Sequence, residues 1–113
     1  MIKHKIILVP FPFDDFSTTK VRPAVCLTNE IGDHQHVIIG FISSQIPIKP
    51  TVSDIILKQK DSDFAKTGLA VNSVIRLHRL VTIPKELIKR QLGNLSADQQ
   101  QEVNRRLKEL FEL

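Results

Sequence analysis

The sequence has no tryptophan and no tyrosine, a single cysteine, four glycines in 113 residues and no apolar run of membrane-spanning length. Each shortage removes a class of protein. Without Trp or Tyr, a platform that stacks single-stranded bases has only Phe and His to draw on, which argues against an RRM-like reader. One cysteine excludes a disulfide framework. Cys26 lies inside the apolar run from Ala24 to Leu27, so it reads as a buried, inert thiol, and a reducing cytoplasm is the expected compartment. The four scattered glycines form no phosphate-cradling loop. Nothing approaches the ~20 apolar residues of a membrane span. Lys3, His4 and Lys5 precede a short apolar stretch broken by Pro10 and Pro12, so no signal peptide is expected. Metal-ligand spacing is missing too. His34 and His36 are two apart, His4 and His78 are distant, and Asp14-Asp15 and Asp61-x-Asp63 read as solvated turn acids. No metal or other cofactor is expected.

What is present fits one domain with one core. The net charge is +4, and much of the excess is local: Arg76, Arg79, Lys85, Lys89 and Arg90 face only Glu86. A patch of that kind favours polyanions through counterion release.

The first three quarters read as short strands with frequent turns, the pattern of a small barrel or sandwich. Lys5 to Phe11 is the first strand, restricted by its prolines to an edge or a bulge. A polar loop from Asp14 to Lys20 leads to a strand from Arg22 to Thr28. The next strand, His36 to Ile42, carries Gly40 as a bulge or close-approach point. Ser53 to Leu57 and Ser73 to Ile83 follow. In the latter, Arg76 and His78 alternate to one side and Leu77 and Arg79 to the other. At the tail the period switches. Ser96-Ala97-Asp98-Gln99 is a capping box, and Val103, Leu107, Leu110 and Phe111 follow at helical spacing as a stripe for core or dimer packing.

The run Lys20-Val21-Arg22-Pro23-Ala24-Val25-Cys26-Leu27-Thr28-Asn29 is the most informative segment. Pro23 pushes Arg22 into an extended conformation and donates no ladder hydrogen bond, which sets a five-donor guanidinium at a strand entrance. Such a fork suits a phosphate or a carboxylate, and equally it can solvate a strand end. Ser43-Ser44-Gln45 closes the third strand with hydroxyls and an amide. Metal-free RNA cleavage needs a base for the 2′-hydroxyl, donors for the phosphorane and an acid for the departing 5′-oxygen. Arginine supplies charge, and histidine is the side chain that ordinarily titrates near neutral pH.

Five ordered blocks resemble the MazF/PemK/Kid family of toxins from type II toxin–antitoxin modules. They are Ile7 to Asp15, Lys20 to Asn29, Phe41 to Gln45, Val74 to Ile83 and Leu87 to Ser96. The resemblance implies a mainly β fold, an SH3-like small barrel with a C-terminal helix, spanning residues 1–113 as a single domain and forming a homodimer. It implies a cytoplasmic, metal-independent endoribonuclease that cuts mRNA at short sequences and leaves a 2′,3′-cyclic phosphate and a 5′-hydroxyl. It also implies a cognate antitoxin whose acidic, disordered tail folds into the RNA groove. Carried over by position, Arg22 takes the place of the catalytic arginine. Ser43 stands where many members have a catalytic threonine, and Arg76 and His78 where some have an Arg-x-Asp pair. The groove would be lined by Ser17, Thr18, Thr19 and Lys20 of the loop, by Ser44 and Gln45, and by Arg79. Two rival readings on the same fold are a CcdB-like gyrase poison and a catalytically silent nucleic-acid-binding module. The chain departs from the family in having His4-Lys5 where a Gly-acidic pair usually opens the first strand, in His78, and in a first loop without histidine.

Overall fold

The computed structural model describes residues 1–10 and 20–113. Ser17, Thr18 and Thr19, with most of the predicted polar loop, lie outside the described residues.

Runs of β-branched residues become strands in register with one another. β1 (Lys5–Pro10), β2 (Val21–Cys26), β3 (His36–Ser43), β4 (Asp54–Leu57), β5 (Ser73–Pro84) and β6 (Arg90–Asn94) form one curled antiparallel sheet in the order β4-β5-β3-β2-β1-β6. The sheet is half of a barrel, closed on one side by α1 (Ala97–Phe111), as the mainly β barrel with a C-terminal helix predicts. Alternation sends Ile6 and Val25 into one apolar cluster with Ile75, Leu77 and Val103, and Ile7, Ala24 and Phe41 into a second on the opposite face. Both faces are buried, so these strands read as nearly continuous apolar runs.

Of the two settings expected for the first strand, an edge or a bulge, the structure has the bulge, a register shift against β6 between Ile6 and Ile7, and not the edge. β1 is an interior strand, paired to β2 on one side and β6 on the other. Pro10 is tolerated because it pairs with Val21 two residues beyond the last β6 partner, Leu8↔Arg90, where no donor is needed. Gly40 marks the irregularity expected there. Gly40 faces Leu80 while Phe41 faces Arg76, so β3 advances one residue as β5 advances four, and Leu77 to Arg79 bulge out of the ladder.

The capping box forms as read. Ser96 Oγ accepts the Gln99 N–H at 3.1 Å, Gln99 Oε1 accepts the Ser96 N–H at 2.8 Å, and the Ser96 hydroxyl also donates to Asp63 at 2.7 Å. Val103, Leu107 and Leu110 pack on the first cluster, whereas Phe111 is exposed. Arg106 ties the helix to the turn before β4, with Nη1 3.1 Å from the Val52 carbonyl.

Backbone meets backbone at one place. A Cβ on Gly93 would lie 2.1 Å from the Lys66 carbonyl oxygen, and one on Gly68, whose φ is +72°, would lie 2.1 Å from that of Leu92. These two glycines let the 3-10 turn Ala65–Thr67 press directly onto β6.

Candidate functional site: an arginine-lined cleft at the strand ends

Pro23 decides where the site opens. The β2–β3 register begins at Ala24↔Phe41, and counting back two residues sets Arg22 opposite Ser43. There the ladder stops, because proline has no N–H to continue it. The freed strand ends border a cleft of about 600 Å³. Arg22, Ser43, Ser44, Gln45 and Arg79 line it, so the fold brings together five of the positions singled out from sequence.

Ser43 is held for donation. Its Oγ accepts the Gln45 N–H at 3.0 Å, which occupies a lone pair and leaves the hydroxyl hydrogen for another acceptor. Arg79 reaches the cleft from the β5 bulge. The opposite wall runs from Gly68 to Val71, with Leu92 beside it. That wall is fixed from behind: buried Thr67 donates its hydroxyl to the Phe64 carbonyl at 2.6 Å and accepts the Leu69 N–H at 3.2 Å.

Arg90 also lines the cleft and was not among the predicted site residues, although it belonged to the basic stretch seen in the sequence. Its place on β6, paired with Leu8 of β1, could not be read from RQLGN, which has neither alternation nor a β-branched residue. Three arginines therefore border one opening, and no carboxylate lies among the described lining residues. Local charge favours a polyanion there.

Arg76 and His78 lie elsewhere. Neither lines the cleft; both engage the turn that enters β4. Arg76 Nε is 2.7 Å from Asp54 Oδ1, a close ion pair whose angle departs from an aligned hydrogen bond. His78 Nδ1 is 2.8 Å from Ser53 Oγ, itself 2.9 Å from Thr51 Oγ1. This contact occupies Nδ1 and leaves Nε2 as the ring's remaining polar atom. Burial pushes the Asp54 carboxyl up. The Thr51 N–H, the Arg76 guanidinium, the Thr51 hydroxyl and His78 outweigh it and hold the group below the usual aspartate value. Lys20 is exposed just before β2 and is not part of the cleft wall.

Cys26 is no nucleophile. It is fully buried, and burial first, then the Glu30 charge, push its thiol up to about 11. Among the described residues, no three His, Cys, Asp or Glu side chains converge on a metal-sized site.

A family model described as a PemK-like, MazF-like toxin of type II toxin–antitoxin systems matches residues 3–111. Among solved structures, the chain is similar to an endoribonuclease in complex with its cognate antitoxin from a Mycobacterial species. The identity is 10%, the match covers 100% of this chain and 96% of that one, and the TM-score is 0.74. It is similar to Mycobacterium tuberculosis toxin MazF-mt6 at 22% identity, over 96% and 97% of the two chains, with a TM-score of 0.73. It is similar to MazF from Deinococcus radiodurans at 16% identity, over 100% and 97%, with a TM-score of 0.70. At these identities the likeness speaks for the fold. No curated protein matches the sequence significantly.

Proposed function

The chain belongs to the PemK-like, MazF-like toxins of type II toxin–antitoxin systems, and from that membership we propose that it is a metal-independent endoribonuclease acting on single-stranded mRNA in the cytoplasm. The observation that carries the reading is the Arg22–Ser43 juxtaposition at a proline-terminated strand end, inside a cleft with three arginines and no described carboxylate.

The chemistry is an in-line attack of the 2′-hydroxyl oxygen on the adjacent phosphorus. The P–O5′ bond breaks, leaving a 2′,3′-cyclic phosphate and a 5′-hydroxyl. Negative charge grows on the non-bridging oxygens as the phosphorane forms. Arg22 meets that charge with a bidentate fork, and the Ser43 hydroxyl donates to the same phosphate. Arginine holds its proton too tightly to be the acid, so its role is electrostatic. His78 and Arg76, expected from sequence to share the acid–base work, are held outside the cleft by Ser53 and Asp54, so water takes the 2′-hydroxyl proton and returns one to the departing 5′-oxygen. Lys20, Ser44, Gln45 and Arg79, with Ser17, Thr18 and Thr19 of the first loop, make up the remaining RNA contacts. The protein works as a homodimer, and its antitoxin inserts an acidic segment that competes with RNA for the arginines. The likeness to an endoribonuclease solved in complex with its cognate antitoxin supports that partner.

The test is incubation of the purified protein with a long RNA in EDTA, followed by mapping of the ends. Cuts should recur at one short motif with cyclic phosphate termini. Arg22→Ala should slow them by about 10²–10³-fold, the usual cost of removing a transition-state donor. Intact RNA at large protein excess would overturn the reading, and a gyrase cleavage-complex assay would then separate the gyrase poison from the silent binding module.

A further inference from the structure

The β5 bulge that carries Arg79 falls between two stretches of the β3 ladder, and one turn holds it. Asp54 Oδ1 lies 2.7 Å from Arg76 Nε, the Ser53 carbonyl accepts the Leu77 N–H at 2.7 Å, and Ser53 Oγ lies 2.8 Å from His78 Nδ1. Three successive β5 residues are thus fastened to the turn, and directly after Arg79 the ladder resumes at Leu80↔Gly40. Arg106 of α1 anchors the turn in its place, with Nη1 3.1 Å from the Val52 carbonyl. The backbone of Arg79 is therefore bracketed, and its side chain enters the cleft from a fixed origin. Asp54 sets the direction of the side-chain bonds. A carboxylate has no hydrogen to give, so the Thr51 hydroxyl donates to Asp54 Oδ2 at 3.2 Å. That spends the single Thr51 hydroxyl hydrogen, and the 2.9 Å contact between the two hydroxyls is donated by Ser53. Ser53 then has no hydrogen left, so the contact with His78 is donated by Nδ1. Ser53 is 4% exposed, which keeps water from competing for these bonds.

We infer that His78 is held as the tautomer protonated at Nδ1, by a hydrogen-bond chain running through Ser53 and Thr51 to Asp54, and that His78 and Ser53 are positioning residues for Arg79. The role of Arg79 as an RNA contact rests on the ribonuclease reading. His78 touches no substrate; it fastens the bulge from which Arg79 reaches out. Arg79 meets RNA away from the reacting bond, so it contributes equally to ground and transition states. A slackened bulge therefore appears in KM and not in kcat.

The tautomer is read by nitrogen NMR of the imidazole ring in isotope-labelled wild type at about pH 8, where histidine is ordinarily neutral. The proton should sit on Nδ1, with Nε2 showing the shift of a bare ring nitrogen. Thr51→Val should release the Ser53 hydrogen to the ring and move the His78 proton to Nε2. On RNA, Ser53→Ala should raise KM about fivefold with kcat unchanged, the order of one net hydrogen bond, and should add nothing in an Arg79→Ala background. His78→Leu should match Ser53→Ala, while His78→Asn, whose amide donates from the place of Nδ1, should keep the wild-type KM. A proton on Nε2 in the wild type, a tautomer unmoved by Thr51→Val, or additivity of Ser53→Ala with Arg79→Ala overturns the inference, and normal cutting by the wild type then leaves the ribonuclease reading standing. A wild type that neither binds nor cuts RNA overturns that reading and, with it, the role given to Arg79.

Discussion

Asp54→Asn is the substitution whose cost the structure constrains best. The carboxylate is 1% exposed and has two occupied oxygens: Oδ2 accepts the Thr51 N–H at 2.9 Å and the Thr51 hydroxyl at 3.2 Å, and Oδ1 meets Arg76 Nε at 2.7 Å. Asparagine keeps the shape but turns one oxygen into a donor. If its carbonyl serves Thr51, its NH₂ faces a guanidinium, donor against donor. Removing one partner of a fully buried pair costs about 3–5 kcal/mol. Arg76 retains 27% exposure and can turn to water, which reduces the expectation to about 2–3 kcal/mol. With an unfolding entropy of about 2.1 cal/mol/K per residue, that is a drop of roughly 10 °C in Tm. The pH dependence carries the sign. Asp54's folded value lies below its unfolded one, so its stabilisation is complete above the unfolded value and is lost as pH falls through the folded value. Thermal melts should therefore show the full gap between wild type and Asp54→Asn at pH 7, narrowing below about pH 4. Equal melting temperatures at pH 7, or a gap that persists undiminished to pH 3, would refute the argument.

Other outcomes follow from the same geometry. Gly93→Ala places a methyl 2.1 Å from the Lys66 carbonyl oxygen, a backbone atom that no rotamer change can move; the cost should reach at least about 3 kcal/mol, seen as poor soluble yield or a collapsed denaturant midpoint. Ser96→Ala removes the helix cap and the bond to Asp63, and should lower stability by about 1–2 kcal/mol in urea titration while leaving RNA cleavage per folded molecule unchanged. With its thiol pushed up to about 11, Cys26 should resist a disulfide reagent at pH 8 in the folded protein and react within minutes in denaturant; fast native labelling would contradict the burial.

The strands were legible where one rule dominated. Ile6 to Val9, Ala24 to Cys26 and Val37 to Ile42 are β-branched or apolar and fell close to their expected bounds, because a strand buried on both faces tolerates little else. The capping box was legible because it is local, closing within four residues. β6 was not. Arg90 to Asn94 has no strand pattern of its own and becomes a strand because β1 has an edge to cover. Arg76 and Arg79 show the other failure. Period-two alternation placed Arg76 with His78 and Arg79 across from them, but the bulge breaks the alternation over this stretch. The alternation held no sign that a bulge would deliver Arg79 to the cleft and leave Arg76 with Asp54.

By itself the sequence determined the chain's class, its helix and the strand entrance at Arg22-Pro23, since each follows from composition or from neighbours a few residues apart. Which cations share an opening was decided only by tertiary structure. That depends on register between strands distant in sequence, on a four-for-one step between β5 and β3, and on two glycines that let a turn press against β6. Such distances are set by chain segments tens of residues apart, and local physics carries no record of them.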